Sequence, residues 1–146
     1  MKFLHTMIRI KDIDESLKFF VDGLNLIETK RIENEAGRFT LIFLAATDDH
    51  ETASKYMAPL IELTYNWDPE EYNSGRNFGH LAYQVDDIYK TCEHLEKQGI
   101  DILRSPRDGY MAFIKSPDGI SVELLQKGKA LEPNPKWKDK KNIGTW

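Results

Sequence analysis

Apolar and polar positions along this chain follow two rhythms, the alternation of strands and the three-to-four spacing of amphipathic helices, and the two rhythms return in the same order twice. Phe3 to Ile10 has strand length and mixes apolar residues with His5, Thr6 and Arg9. Asp12, with Glu15 three positions on, reads as a helix start. Ile13, Leu17, Phe20, Val21 and Leu24 then fall on one helical stripe, with Gly23 as its stop. Leu26 to Ile32 and Phe39 to Ala46 are rich in aliphatic, aromatic and β-branched residues and predict two strands joined by a turn at Asn34 to Gly37. The polar segment Thr47 to Ala58 predicts a loop, and Leu60 to Asn66 a further strand.

The second half repeats this order. His80 to Val85 predicts a strand, Asp86 or Asp87 a helix cap, Ile88, Cys92 and Leu95 a helical stripe, and Gly99 its end. Strands are expected at Ile100 to Arg104, Tyr110 to Lys115 and Ser121 to Gln126, with Ser116-Pro117-Asp118-Gly119 as the turn between the last two. A shift of 75 residues superposes His5 on His80 and Asp12-Ile13 on Asp87-Ile88, with Gly23 one place off Gly99. A shift of 61 superposes Ile61-Glu62-Leu63 on Val122-Glu123-Leu124. The chain therefore reads as an α+β fold of two tandem βαβββ modules, module 1 over 1–67 and module 2 over 79–127. A turn-rich connector spans 68–78 and an extension spans 128–146, the whole of 1–146 making one domain. Modules of about 70 residues are marginal alone, so they are expected to pack together or to pair across chains.

Composition narrows the function. A length of 146 residues, 40% hydrophobic and 30% charged, is that of an ordinary globular chain. Lys and Arg total 20 against 24 Asp and Glu, and the only basic run lies between Lys136 and Lys141, so no electrostatic footprint for nucleic acid is present. No stretch approaches the 18 or so apolar residues of a membrane span, and charges at Arg9 and Lys11 cut short any secretory leader. One cysteine, Cys92, allows no internal disulfide and suits a reducing compartment, so a cytoplasmic location is expected.

The duplication also concentrates the chemistry. Each half opens on a strand bearing a histidine and closes on one bearing a glutamate. An approximate two-fold between modules would bring His5, Glu62, His80 and Glu123 to one point. Taken singly, each Glu reads as a solvent-facing strand position and each His as a satisfied core or surface residue. Repetition of the same two residue types at equivalent points argues against that. A carboxylate set among apolar strand neighbours costs several kcal/mol unless paired or bound to a cation. Imidazole with carboxylate is a ligand set for zinc, nickel, iron, cobalt or manganese. Alternation puts Phe3, His5, Met7 and Arg9 on one side of the first strand, and Leu60, Glu62, Thr64 and Asn66 on one side of the fourth. Cys92, on the helical stripe, reads as a small core hydrophobe.

The motifs His5-Thr6-Met7-Ile8-Arg9, Ile61 to Trp67, Phe78-Gly79-His80, Ser116 to Gly119 and Val122-Glu123-Leu124, in this order and spacing, resemble the bacterial glyoxalase I (lactoylglutathione lyase) family of the vicinal-oxygen-chelate superfamily. The resemblance spans at least Phe3 to Gln126. It implies a cupped sheet around a divalent metal at a homodimer interface, with His5 and Glu62 of one chain meeting His80 and Glu123 of the other. A short chain with His at the first ligand position resembles the nickel-activated members, with Co2+ or Zn2+ as alternatives. It also implies glutathione and methylglyoxal as substrates. Their hemithioacetal would be isomerised to S-D-lactoylglutathione, with Glu123 as base and Glu62 as ligand and possible second base. Arg9, Asn66, Arg76 and Arg104 match the glutathione-holding positions. Arg9 and Asn66 also lie four residues along a strand face from a ligand, roughly 13 Å, the reach of a tripeptide thiol. The segment Arg107 to Met111 is shorter than the family's loop at this point, and the extension 128–146 has no counterpart in the shortest members. The alternatives are another metalloenzyme of the superfamily (epimerase, thiol transferase or dioxygenase), or a metal-free small-molecule-binding protein.

Overall fold

The computed structural model describes residues 1–73, 75 and 77–146. The chain divides into two compact units, Met1–Asn73 and Ser74–Trp146, and the division falls inside the turn-rich connector.

In the first unit, β1 (His5–Ile10) runs parallel to β4 (Leu60–Asn66), and β3 (Phe39–Ala45) pairs antiparallel with both β4 and β2 (Ile27–Asn34). The sheet order is β1-β4-β3-β2. Between β1 and β2 lies α1 (Ile13–Leu17), started by the Asp12 carboxylate, which accepts from the Glu15 amide at 2.8 Å. Of the expected stripe only Phe20 is fully buried, and Ile13 and Leu17 are half-buried. From Lys18 to Gly23 the chain widens into a π turn, with the Leu24 amide donating to the Phe19 carbonyl and Leu26 to Phe20. Ser16 is the buried residue of α1, and the π segment buries Phe19, Phe20 and Gly23 and leaves Val21 only partly covered. The left-handed residue after this helix is Asn25, at φ 57°, and not Gly23.

A second correction concerns 47–58. It is not a plain loop: a 3-10 turn at Thr47–Asp49 leads into α2 (His50–Tyr56), which ends on left-handed Met57. The helix is polar because it turns only Ala53 inward, against Phe43, Ala45 and Leu60. One apolar residue leaves no periodic signal.

The second unit repeats the plan with one strand reduced. Parallel β5 (His80–Val85) and β7 (Ser121–Gln126) are followed by antiparallel β6 (Met111–Lys115), giving the order β5-β7-β6. The expected strand at Ile100 to Arg104 survives only as a bridge between Arg104 and Phe113. It stands where Lys30 pairs with Phe43 in β2 of the first unit. Two causes end it. Pro106 opens a tight turn in which Arg107 donates to the Ser105 carbonyl and Gly109 to that of Pro106, and the Leu103 carbonyl accepts from Ile143 of the extension. Helix α3 (Ile88–Lys97) starts at Asp87, whose carboxylate accepts from the amides of Tyr89 and Lys90, and stops before Gly99 at φ 79°. It buries Ile88, Tyr89, Cys92 and Leu95 on the sheet. The buried Gln126 ties its start to β7, accepting from the Ile88 amide and donating to the Asp86 carbonyl, both at 2.8 Å. Cys92 is fully buried and its thiol is pushed up to about 12, chiefly by desolvation, which makes it a core side chain and no nucleophile.

The extension packs on its own unit. Trp137 is wholly buried, with the ammonium groups of Lys136 and Lys140 4.7 and 4.4 Å from its ring centre. Both lysines also reach Glu96 of α3. Ser105 donates to the Lys140 carbonyl and Tyr89 to that of Glu132. Leu131 comes so close to Gly109 that a Cβ there would stand 2.1 Å from the Leu131 carbonyl oxygen. With φ at 68°, Gly109 therefore admits no other residue without moving the Leu131 backbone. Among the described residues no helix is long and apolar enough to cross a membrane.

Candidate active site

Within each unit the histidine of the first strand meets the glutamate of the last. His5 Nε2 stands 3.3 Å from Glu62 Oε2, and His80 Nε2 stands 3.2 Å from Glu123 Oε2. Register explains the match: in each unit the two residues point to one face of a parallel strand pair, two positions apart in register. The glutamates are largely covered, with 14% and 16% of their side-chain surface exposed, and the imidazoles stay open at 38% and 42%. The solvent-facing reading of these glutamates is thereby removed. A covered carboxylate beside an open imidazole is suited to a further cationic partner.

Two aromatic residues complete the arrangement, and neither is marked by the sequence motifs. Phe43, opposite Glu62 in the ladder, lies edge-on to His5 at 6.1 Å; Phe113, opposite Glu123, lies edge-on to His80 at 5.4 Å. A shift of 70 residues would have superposed them, but a phenylalanine in an apolar strand looks like core until the register is known.

The two pairs differ in how the glutamate is held. Thr64 donates a long hydrogen bond, 3.4 Å, to Glu62 Oε1. The residue at the corresponding place in β7, two beyond Glu123, is Leu125, which has no hydroxyl. Among the described residues no group of three or more His, Cys, Asp or Glu side chains is placed to hold a metal ion.

Of the expected glutathione contacts, Arg9 is exposed on β1, on the face of His5, and Asn66 lies on β4 on the face of Glu62. The Asn66 amide nitrogen donates to Glu70 at 2.8 Å and to the Tyr72 hydroxyl at 3.2 Å, so the start of the connector already holds it. The Arg104 guanidinium donates to Asp108 at 2.7 Å and to the Met111 carbonyl, closing the short turn. Burial by itself would raise the Asp108 carboxyl, but Arg104 and the amides of Tyr110 and Met111 outweigh it and bring it down to about 2. Any contact of Arg104 with a ligand would come in addition to these bonds. Arg76 lies outside the described residues.

The family model of the Glyoxalase/Bleomycin resistance protein/Dioxygenase superfamily matches residues 2–124, which include both His–Glu pairs. The chain belongs to this superfamily. A probable lactoylglutathione lyase of Synechocystis sp. is 41% identical over 133 residues, covering 86% of this chain and 95% of the relative. The lactoylglutathione lyase of Neisseria meningitidis is 36% identical over 132 residues, covering 87% and 91%. Among solved structures, the trypanothione-dependent glyoxalase I of Leishmania major superposes with a TM-score of 0.73 at 30% identity, covering 86% of each chain. Glyoxalase I of Zea mays gives 0.76 at 29%, covering 90% of this chain and 47% of the maize chain. This superfamily member is thus similar, over most of its length, to enzymes named as glyoxalase I, and its two sheets have that fold.

Proposed function

We propose that the chain is a lactoylglutathione lyase. It isomerises the hemithioacetal of methylglyoxal and glutathione to S-D-lactoylglutathione in a homodimer, and each active site takes His5 and Glu62 from one subunit and the equivalents of His80 and Glu123 from the other. The two modules, 1–67 and 79–127, then serve as one functional domain. One observation carries the reading: a covered glutamate faces an open imidazole at the same place in both units.

The donor set fits a divalent metal. Nitrogen and oxygen donors bound at about 2.0–2.2 Å stand roughly 3.0–3.4 Å apart in octahedral or tetrahedral geometry, and the two pairs are at 3.3 and 3.2 Å. The four side chains would hold the ion, Ni2+ in this reading with Co2+ or Zn2+ as alternatives, and it would supply Lewis-acid stabilisation of negative charge on the substrate oxygens.

The chain's own residues do the proton work. Glu123 lacks the hydroxyl that Glu62 receives from Thr64, so its carboxylate is the freer of the two. In this reading it takes the proton from C1 of the hemithioacetal and returns it to C2, with an enediolate between the two steps. Glu62, held by His5 and Thr64, keeps its place as a ligand and is the second base for the other epimer. Phe43 and Phe113 exclude water from one side of each imidazole and fix its orientation. Arg9 and Asn66, with Arg76 and Arg104, bind the carboxylates and amides of glutathione.

The test is metal-stripped protein reloaded with nickel, cobalt or zinc and given methylglyoxal with glutathione. Thioester absorbance should rise with at least one metal; none with any of the three overturns the reading.

A further inference from the structure

The residues that carry the proposed chemistry all precede 124, where the family match ends, yet the extension returns to the same sheet face. Phe113 and Lys115 alternate on β6 and pair with Glu123 and Ser121, so both share the face of Glu123. The Lys115 ammonium donates to the Thr145 carbonyl, and the Ile143 amide donates to the Leu103 carbonyl at 2.9 Å. Between these anchors Gly144 turns the chain at φ 64°. The outcome is that Trp146 stacks on Phe113, with ring centres 5.5 Å apart and planes inclined by 23°. Phe113 is the ring that borders His80.

Trp146 differs from the extension's other tryptophan. Trp137 is wholly buried, whereas Trp146 keeps 40% of its surface exposed although the chain before it is tied down at two points. An indole held in place with open apolar surface is a stacking platform. A methyl substituent offers such a platform little surface, whereas a flat aromatic one stacks on it.

Resting on the lyase reading, we propose that Trp146 is a specificity-determining residue. It extends the aromatic surface of Phe113 into a wall that favours hemithioacetals of 2-oxoaldehydes with large apolar or aromatic substituents.

The test compares kcat/KM for the hemithioacetals of phenylglyoxal and methylglyoxal in the wild type, Trp146→Ala and Trp146→Phe, all metal-loaded. In Trp146→Ala the loss for phenylglyoxal should exceed that for methylglyoxal by about five- to tenfold, chiefly through KM, and Trp146→Phe should recover most of it. An unchanged ratio of the two substrates overturns the proposal. Calorimetry supplies a readout independent of turnover: the preference of the protein for S-benzylglutathione over S-methylglutathione should shrink by a similar factor in Trp146→Ala, and an equal preference in both proteins again overturns it. A wild type that turns over neither substrate contradicts the lyase reading, and the calorimetric ratio then decides on the wall by itself.

Discussion

Phe113 presents its ring edge-on to His80 at 5.4 Å, and Phe43 does the same for His5 at 6.1 Å. Each ring also stands opposite the glutamate of its own pair in the ladder, so one side chain borders both members. Groups that fix the orientation of a ligand typically matter 10–100-fold for metal affinity. Phe113→Leu and Phe43→Leu should each weaken retention of the metal about tenfold, read by dialysis against a graded chelator. The far-ultraviolet circular dichroism should stay unchanged. Equal retention by variants and wild type would remove the orienting role.

The two glutamates are predicted to separate under mild substitution. Glu123→Gln removes the carboxylate with the fewer partners and should lower kcat by about 10³-fold or more, with the fold and much of the bound metal retained. Glu62→Gln, whose carboxylate is held from both sides by His5 and Thr64, should lose metal as well as turnover. Metal content and rate measured on the same preparations check the assignment; near-wild-type rates for Glu123→Gln would contradict it.

Acid sensitivity should centre on Asp108. Its carboxyl lies at about 2 in the folded protein against an ordinary 3.8. A depressed folded pKa contributes stability that is present above about pH 4 and is lost as pH falls through 2. The side chain is 46% exposed, so solvent screening reduces the contribution to about 1 kcal/mol. Urea titrations of wild type and Asp108→Asn should differ by about that amount at pH 7, and the gap should close between pH 4 and pH 2. A gap that is the same at both pH values would show that Arg104 and the two amides do not hold the carboxylate.

Much of this was legible in the sequence. Asp12 and Asp87 do start the two helices, the strands bearing His5, Glu62, His80 and Glu123 lie within two residues of their expected bounds, and both modules are present. What stayed hidden has specific causes. The π turn after Leu17 buries the adjacent Phe19 and Phe20 together, a spacing that a regular helical period does not describe. Helix α2 buries one alanine and so leaves no stripe. The strand at Ile100 to Arg104 is cut to a bridge because Pro106 opens a turn, a local signal, and because the extension occupies the Leu103 carbonyl through Ile143, a long-range effect with no local signature. Phe43 and Phe113 became visible as site residues only once the register placed them opposite the glutamates.

The proposed function rests on sites in which His5 and Glu62 act with His80 and Glu123 of the partner subunit. Its most direct test is the turnover of heterodimers made by co-expressing Glu62→Gln and Glu123→Gln chains under two different tags and purifying through both. Each homodimer should be inactive. If sites are shared, one site of the heterodimer carries both substitutions and the other carries neither, so turnover should return to about half that of the wild type. A heterodimer as inactive as its parents would place each site within one chain and contradict the account.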